Sequence, residues 1–350
     1  MVWKQTLYPC GAYRKTTCDQ RLATASIAGE ANMLKLKITF LMVLCAMLSS
    51  VSILPGQAQD KDKEKKVYTG TPVMWREPTD IESRNLLLGA GGEQMKPDLR
   101  SVTFIEQKTG GYSTKYLVRD AAGNEWVAKI GKEAQPDTAA NRLLWAVGYE
   151  TEIAHLVPSL NIIGKGTLEN VRLEARPKDV KRTGEWRWKE NPFRGKPELQ
   201  GLKIMMALVN NWDMKDANNE ILAIKGQTTG GELRYIVSDL GGTFGKTGGF
   251  ISRSRNKPSD YVKAEFVKAV KGDMIDFNYG GKNQKLFEDL SVNDAKWIAG
   301  WLSRLSDDQI KDAFRAANYK PEEVESLAGA VRERINALSN VAPNQTAEKQ

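Results

Sequence analysis

Asp213, Lys215, Asn218 and Asp239 have the types and spacing to handle a metal-bound phosphate. The first three form an acid–lysine–amide pattern, D-x-K-x-x-N, inside Asn210–Asn219, and Asp239 lies in Ser238-Asp239-Leu240-Gly241-Gly242. Asp239 and Asn218 offer the hard oxygens that magnesium takes. Asp213 would accept or orient the proton of an attacking hydroxyl, and Lys215 would sit near the transferred group. Asp and Asn are also ordinary turn residues, and so short a motif recurs by accident. The surrounding elements therefore carry weight. Glu220–Ile224 reads as a short strand, Gly226–Gly231 as a turn and Leu233–Val237 as a second strand ending at Asp239.

This order resembles the catalytic core of the protein-kinase-like superfamily, whose loop reads H-R-D-x-K-x-x-N and is followed by a hairpin and D-F-G. The match covers Asp213, Lys215, Asn218, Asp239 and Gly241, while Asn211-Trp212 replaces His-Arg and Leu240 replaces Phe. The resemblance implies Asp213 and Lys215 as catalytic residues and Asn218 and Asp239 as metal ligands. Loss of His-Arg speaks against control by a phosphorylated activation loop.

The elements upstream fit the same pattern. Val102–Glu106 and Lys115–Arg119 read as strands flanking Gly110-Gly111, and Asp120–Asn124 as a turn. Trp126–Ile130 is then a strand with Lys129 at its centre. The sequence V-A-K-I resembles the family's V-A-I-K, and the resemblance makes Gly110, Gly111 and Lys129 nucleotide-binding residues. Read without it, Gly-Gly is a hairpin turn and Lys129 a lysine reaching out from an edge strand. A lysine inside an apolar strand needs a partner. A helix from Pro136 through Val147 contains one acid, Asp137, the candidate partner of Lys129.

His155–Gly164 and Val171–Arg176 read as strands, and Pro177 begins a hinge. Lys178–Pro197 is basic and carries Trp186, Trp188 and Phe193, which either staple the loop to the domain, the favoured reading, or stack on a ligand. Glu198–Val209 reads as a helix leading into the Asp213 loop. Residues 261–272, 292–304, 307–317 and 321–338 also read as helices, with Trp297 and Trp301 at core spacing.

Composition excludes several classes. The only histidine, His155, rules out multi-histidine metal sites, and Cys10, Cys18 and Cys45 all precede residue 59, so no disulfide framework exists beyond it. The formal net charge is +8, but six basic and two acidic residues before Asp60 supply half of it. The remainder has no surplus of the kind that marks a nucleic-acid binder. Lys35 and Lys37, the apolar run Ile38–Leu48 and Gly56-Gln57-Ala58 form a secretory signal pattern, too short for a membrane span.

The expected domains are an upstream extension at 1–32 outside the true start, a signal peptide at 33–58, and a linker and N-terminal extension at 59–99. A nucleotide-binding small lobe at 100–177, a large lobe with the catalytic loop at 178–338 and a disordered tail at 339–350 follow. The fold class is α+β: a two-lobed protein-kinase-like fold with a small, mainly β lobe and a larger, mainly α lobe. The implied function is an exported phosphotransferase using ATP with Mg or Mn. Its acceptor would bear a hydroxyl, and the basic run Ser252–Lys257 suits an acidic or phosphate-bearing one. A non-catalytic module binding a nucleotide, phosphate or protein partner is the alternative.

Overall fold

The computed structural model describes residues 67–110, 113–249 and 252–344. The signal-peptide segment, Gly111 and the last six residues of the tail lie outside the described residues.

Of residues 67–99, expected as linker and extension, 67–86 are built into the large lobe, while Met95 packs on the small-lobe core and the Asp98 amide donates to Asp120 Oδ2 at 3.2 Å. Strand β1 (Gly70–Val73) runs parallel to β9 (Gly231–Val237). Met74, Ile81 and Leu86 are buried in the large-lobe core. Trp75 packs on Trp297 and Trp301 with ring centroids 5.0 and 5.4 Å away. Gln309 Nε2 donates to the carbonyls of Ile81 and Arg84 at 2.8 and 3.1 Å. Burial of these apolar groups offsets the entropy of ordering so irregular a segment.

The small lobe is one antiparallel sheet in the order β2-β3-β4-β6-β5. Its strands are β2 (Thr103–Lys108), β3 (Thr114–Arg119), β4 (Glu125–Ile130), β5 (Ala154–Ile162) and β6 (Gly166–Ala175). Asp120 fixes the β3–β4 turn: its carboxylate accepts from the Asn124 amide at 2.8 Å and Trp126 Nε1 at 2.9 Å. One sheet face builds a core of Val118, Trp126, Ala128, Leu160, Ile162, Val171 and Leu173. Helix α1 (Ala134–Ala146) packs on β5 and β6 and, on its other side, against α5 (Asp307–Arg315). Contact on both sides explains its small, alanine-rich faces, because larger side chains would hold the layers apart.

After the crossover at Arg176–Asp179, β7 (Val180–Gly184) pairs with β8 (Asn219–Ile224), completing a second sheet in the order β1-β9-β8-β7. The loop after β7 is stapled down rather than presented to a ligand. Trp186 and Trp188 are buried against each other at 4.8 Å, and Trp186 Nε1 donates to the Ile236 carbonyl at 2.8 Å. Helix α2 (Pro197–Leu208), then α4 (Val292–Leu302), α5 and α6 (Pro321–Asn340) enclose the main core.

Residues 261–272 are not one helix. Helix α3 spans Pro258–Lys263, and β10 (Val267–Lys271) turns back into β11 (Met274–Phe277). β-branched Val267 and Val270 favour the strand, and Gly272 takes the turn at φ +60°. At the other end α6 continues through Asn340, and the Asn344 amide donates to the Gly272 carbonyl at 3.0 Å. Residues 339–344 of the expected tail are therefore folded.

Candidate active site

Lys129 lies at the centre of β4, between Lys115 on β3 and Arg172 on β6 in the strand register. Three cations abreast on a sheet repel one another, and carboxylates from neighbouring elements offset them. Lys129 is only 4% exposed. Its Nζ lies 3.1 Å from Asp137 Oδ2, 3.0 Å from Asp239 Oδ1 and 3.4 Å from Glu133 Oε2. Asp137 stands in the first turn of α1 and Glu133 at its N-cap, four residues apart and so on one face. Negative charge there also complements the helix dipole.

Burial disfavours the charge on Lys129, but Asp137 and Asp239 outweigh it and hold the lysine above its ordinary pKa. Burial raises the Asp137 carboxyl despite Arg172 and Lys129, which pull it down. For Asp239 burial acts upward too, but the Lys129 ammonium and the Gly241 amide hold it below the usual carboxylate range. The Gly241 amide donates to Asp239 Oδ1 at 3.0 Å. A Cβ at Gly241 would come within 2.6 Å of the Glu133 Cβ, so this close approach requires glycine.

The loop carrying Asp213 is anchored at both ends. At its start, Asn210 adopts φ +53° and bonds the Gly245 carbonyl at 2.8 Å. Buried Arg334 of α6 donates to Asn210 Oδ1 at 2.9 Å and to the Leu208 carbonyl at 2.8 Å. At its end, the Asn218 carbonyl accepts from the amides of Ser238 and Asp239 at 2.8 and 3.2 Å. These bonds tie the acid–lysine–amide loop directly to Asp239. Asn218 Nδ2 donates to the Asp213 carbonyl at 2.7 Å.

Asp213 sits between two lysines. Lys215 Nζ is 3.0 Å from Oδ2, and Lys282 Nζ is 2.7 Å from Oδ1. The segment bearing Lys282 is lashed to the same loop: the Lys282 amide bonds the Trp212 carbonyl at 2.8 Å, and Asn283 Nδ2 the Met214 carbonyl at 2.7 Å. Trp212, in the place of the family's arginine, lies beneath the guanidinium carbons of Arg253 and Arg255 at 4.2 and 4.7 Å. Arg255 also pairs with Glu133. Cation–π contacts and an ion pair thus pin Arg253 and Arg255 in the segment after Asp239.

Lys129, Asp213, Lys215, Asn218 and Asp239 all line one cavity of about 630 Å³. Gly110 does not line it; it adopts φ +100° with open space where a Cβ would be. Sequence reasoning missed Glu133, Arg172 and Lys282, and took Arg255 only as part of the basic run Ser252–Lys257 rather than as the partner of Glu133. Glu133 carried a readable signal, four residues after Lys129 at a helix start. Arg172 and Lys282 carried none, since only strand pairing and loop docking bring them in.

The donor set fits magnesium or manganese. The Asn218 amide turns its nitrogen to Asp213, and both Asn218 and Asp239 face the cavity. Among the described residues no three carboxylate, histidine or cysteine groups converge as a metal cage. Magnesium commonly takes one or two protein oxygens and completes its shell with phosphate and water.

No protein-family model matches the chain, and no curated protein matches it. Among solved structures it is similar to the Helicobacter pylori proinflammatory kinase CtkA, with 11% identity, 70% of this chain and 97% of that chain covered, and a TM-score of 0.42. It is also similar to the Rio2 kinase from Chaetomium thermophilum, solved as an ADP/Mg2+-phosphoaspartate complex, with 13% identity, 68% and 72% covered, and a TM-score of 0.30. In this chain the antiparallel sheet with its lysine strand, the acid-bearing helix, the crossover, the D-x-K-x-x-N loop, the hairpin and D-L-G follow in the order of the protein-kinase-like fold. By that order of elements the fold is protein-kinase-like.

Proposed function

We propose that this chain is an exported phosphotransferase that moves the γ-phosphoryl of a nucleoside triphosphate to a hydroxyl of a protein or small molecule. ATP is the donor used across the family its motifs resemble. The observation that carries this reading is Lys129 held at 3.1 and 3.0 Å by Asp137 and Asp239, beside Asp213, Lys215 and Asn218 in one cavity. Phosphoryl transfer needs positioning and charge neutralisation more than covalent help, and this constellation supplies both.

Lys129 would bind donor phosphate oxygens, with Asp137 and Glu133 fixing its ammonium. Asn218 and Asp239 would hold magnesium or manganese, which would neutralise charge developing on the transferred phosphoryl group. Asp213 would orient the acceptor hydroxyl and take its proton. Lys215 and Lys282, at 3.0 and 2.7 Å, would hold the Asp213 carboxylate in place. The Lys35–Ala58 pattern supports export. The described helices include none long and apolar enough to cross a membrane.

Calorimetry with nucleotide and Mg2+, alongside a transfer assay, tests the reading. Asp239→Ala should abolish metal-dependent nucleotide binding and activity together. Asp213→Ala should leave binding nearly intact and slow transfer by about 10²–10⁴-fold, the worth of a positioned base. An unaltered protein that binds no nucleotide with either metal would sink the proposal. Binding without transfer, with Asp213→Ala silent, would leave a non-catalytic binding module.

A further inference from the structure

The Asp213 end of the cavity carries more positive charge than its carboxylate matches. Asp213 holds two ammoniums, Lys215 Nζ on Oδ2 at 3.0 Å and Lys282 Nζ on Oδ1 at 2.7 Å. Lys215 belongs to the acid–lysine–amide loop. Lys282 comes from outside it, in the turn that follows β11, and three bonds fix that turn on the loop. The Tyr279 hydroxyl donates to the Asn211 carbonyl at 2.7 Å, the Lys282 amide to the Trp212 carbonyl at 2.8 Å and Asn283 Nδ2 to the Met214 carbonyl at 2.7 Å. Tyr279 is itself stacked on Phe287, with ring centroids 4.1 Å apart. The place of Lys282 is therefore set by its own backbone and neighbours, and not by attraction to Asp213 alone.

Asp213 does not use up either lysine. An ammonium carries three donors. Each lysine turns one side to Asp213, and the two side chains remain 44% and 43% exposed. Two positive charges thus share one negative charge, at the point an acceptor hydroxyl must reach. A neutral acceptor gains nothing from that excess, whereas a carboxylate beside the hydroxyl does. Asp213 Oδ1 is also closed to solvent, with the Lys282 ammonium against it. A carboxylate on the acceptor would draw that ammonium toward itself and open Oδ1 to the hydroxyl.

We infer that the acceptor is an acidic protein segment, a hydroxyl residue flanked by aspartates or glutamates, and that Lys282 selects it. The exposure of both lysines leaves this end of the cavity open to an extended chain lying across Asp213. In the transfer the acceptor oxygen bonds the γ-phosphorus, the bond to the leaving nucleoside diphosphate breaks, and the hydroxyl proton passes to Asp213. The inference rests on the phosphotransferase reading for the role of Asp213, and deepens it by naming the acceptor.

The test uses ATP, Mg2+ and serine peptides of equal length, flanked by aspartates, by alanines and glycines, or by lysines. The acidic peptide should exceed the neutral one about 10-fold in kcat/KM, the product of a few exposed charge pairs, and the basic peptide should be the poorest. Added salt should raise KM for the acidic peptide, because such pairs are screened. Lys282→Gln should reduce the acidic-to-neutral ratio to about twofold, whereas Lys282→Arg, which keeps the charge, should preserve it. Loosening of Asp213 by either substitution lowers kcat for all peptides alike and leaves the ratio untouched. A ratio unchanged in Lys282→Gln would thus assign Lys282 a structural role only and overturn the inference. Equal kcat/KM for acidic and basic peptides with the unaltered protein overturns it as well, and leaves the phosphotransferase reading standing. So does transfer to none of the peptides while calorimetry still shows nucleotide binding with Mg2+. Absence of nucleotide binding overturns both.

Discussion

Replacing Asp137 by Asn probes the buried charge cluster. Asp137 is 1% exposed and lies 3.1 Å from Lys129 and 3.5 Å from Arg172, itself 1% exposed. Asparagine keeps the shape and one acceptor but removes the charge that offsets two buried cations. Breaking a buried ion pair from one side costs about 3–5 kcal/mol, and the near-isosteric change belongs at the lower end. At about 2.1 cal/mol/K of unfolding entropy per residue, about 3 kcal/mol corresponds to a Tm lowered by about 4–5 °C in a chain of this size. Asp289→Asn is the internal control. Asp289 also pairs with a lysine, Lys203 at 2.9 Å, but its side chain is 63% exposed. That loss should cost at most about 1 kcal/mol. Thermal unfolding followed by circular dichroism reads both variants at pH 7.5. Equal, small shifts would refute the reasoning. They would mean that burial, which raises the Asp137 carboxyl, has already left it protonated, with Lys129 held by Asp239 and Glu133 alone.

Other expectations follow from single contacts. His155, bonded to the Met95 carbonyl at 3.0 Å, has its pKa lowered to about 4 by burial and the Arg142 charge. The folded state therefore favours neutral imidazole; its contribution is complete above about pH 6.5 and is lost as pH falls toward 4, up to about 3 kcal/mol. His155→Gln should flatten the stability profile in that window, and an unchanged slope would contradict the assignment. Trp212→Leu removes the platform under Arg253 and Arg255, worth about 1–2 kcal/mol. Tryptic cleavage after those arginines should then speed up about 5- to 30-fold, whereas an unchanged digestion rate would show that the segment is held elsewhere. Mass spectrometry of exported protein should find an N-terminus near Gln59; recovery of the intact chain from the cytoplasm alone would end the export proposal.

Short-range regularities were legible in the sequence because neighbouring residues create them. Alternation and turn residues placed the strands at 115–119, 126–130 and 233–237 within a residue or two. Helical periodicity did the same for 198–209, 292–304 and 307–317. The Asp213–Asp239 unit was legible because its loop and hairpin close on themselves, with Asn218 bonding residues at the end of the adjoining strand. The helix expected at 261–272 failed that reading beyond Lys263: the strand bias of Val267 and Val270 is weak alone, and pairing of Val267–Lys271 with Met274–Phe277 decides the outcome. The segment at 67–86 is polar and irregular, so its place in the large lobe emerges only from burial of Met74, Ile81 and Leu86 among side chains far along the chain. The same holds at the site. The sequence by itself determined that Lys129, sitting in an apolar strand, needed a counter-charge. Only the tertiary structure decided which groups supply it, because Coulomb attraction depends on distance through space, and folding puts Asp239 nearer to Lys129 than its sequence neighbour Glu133.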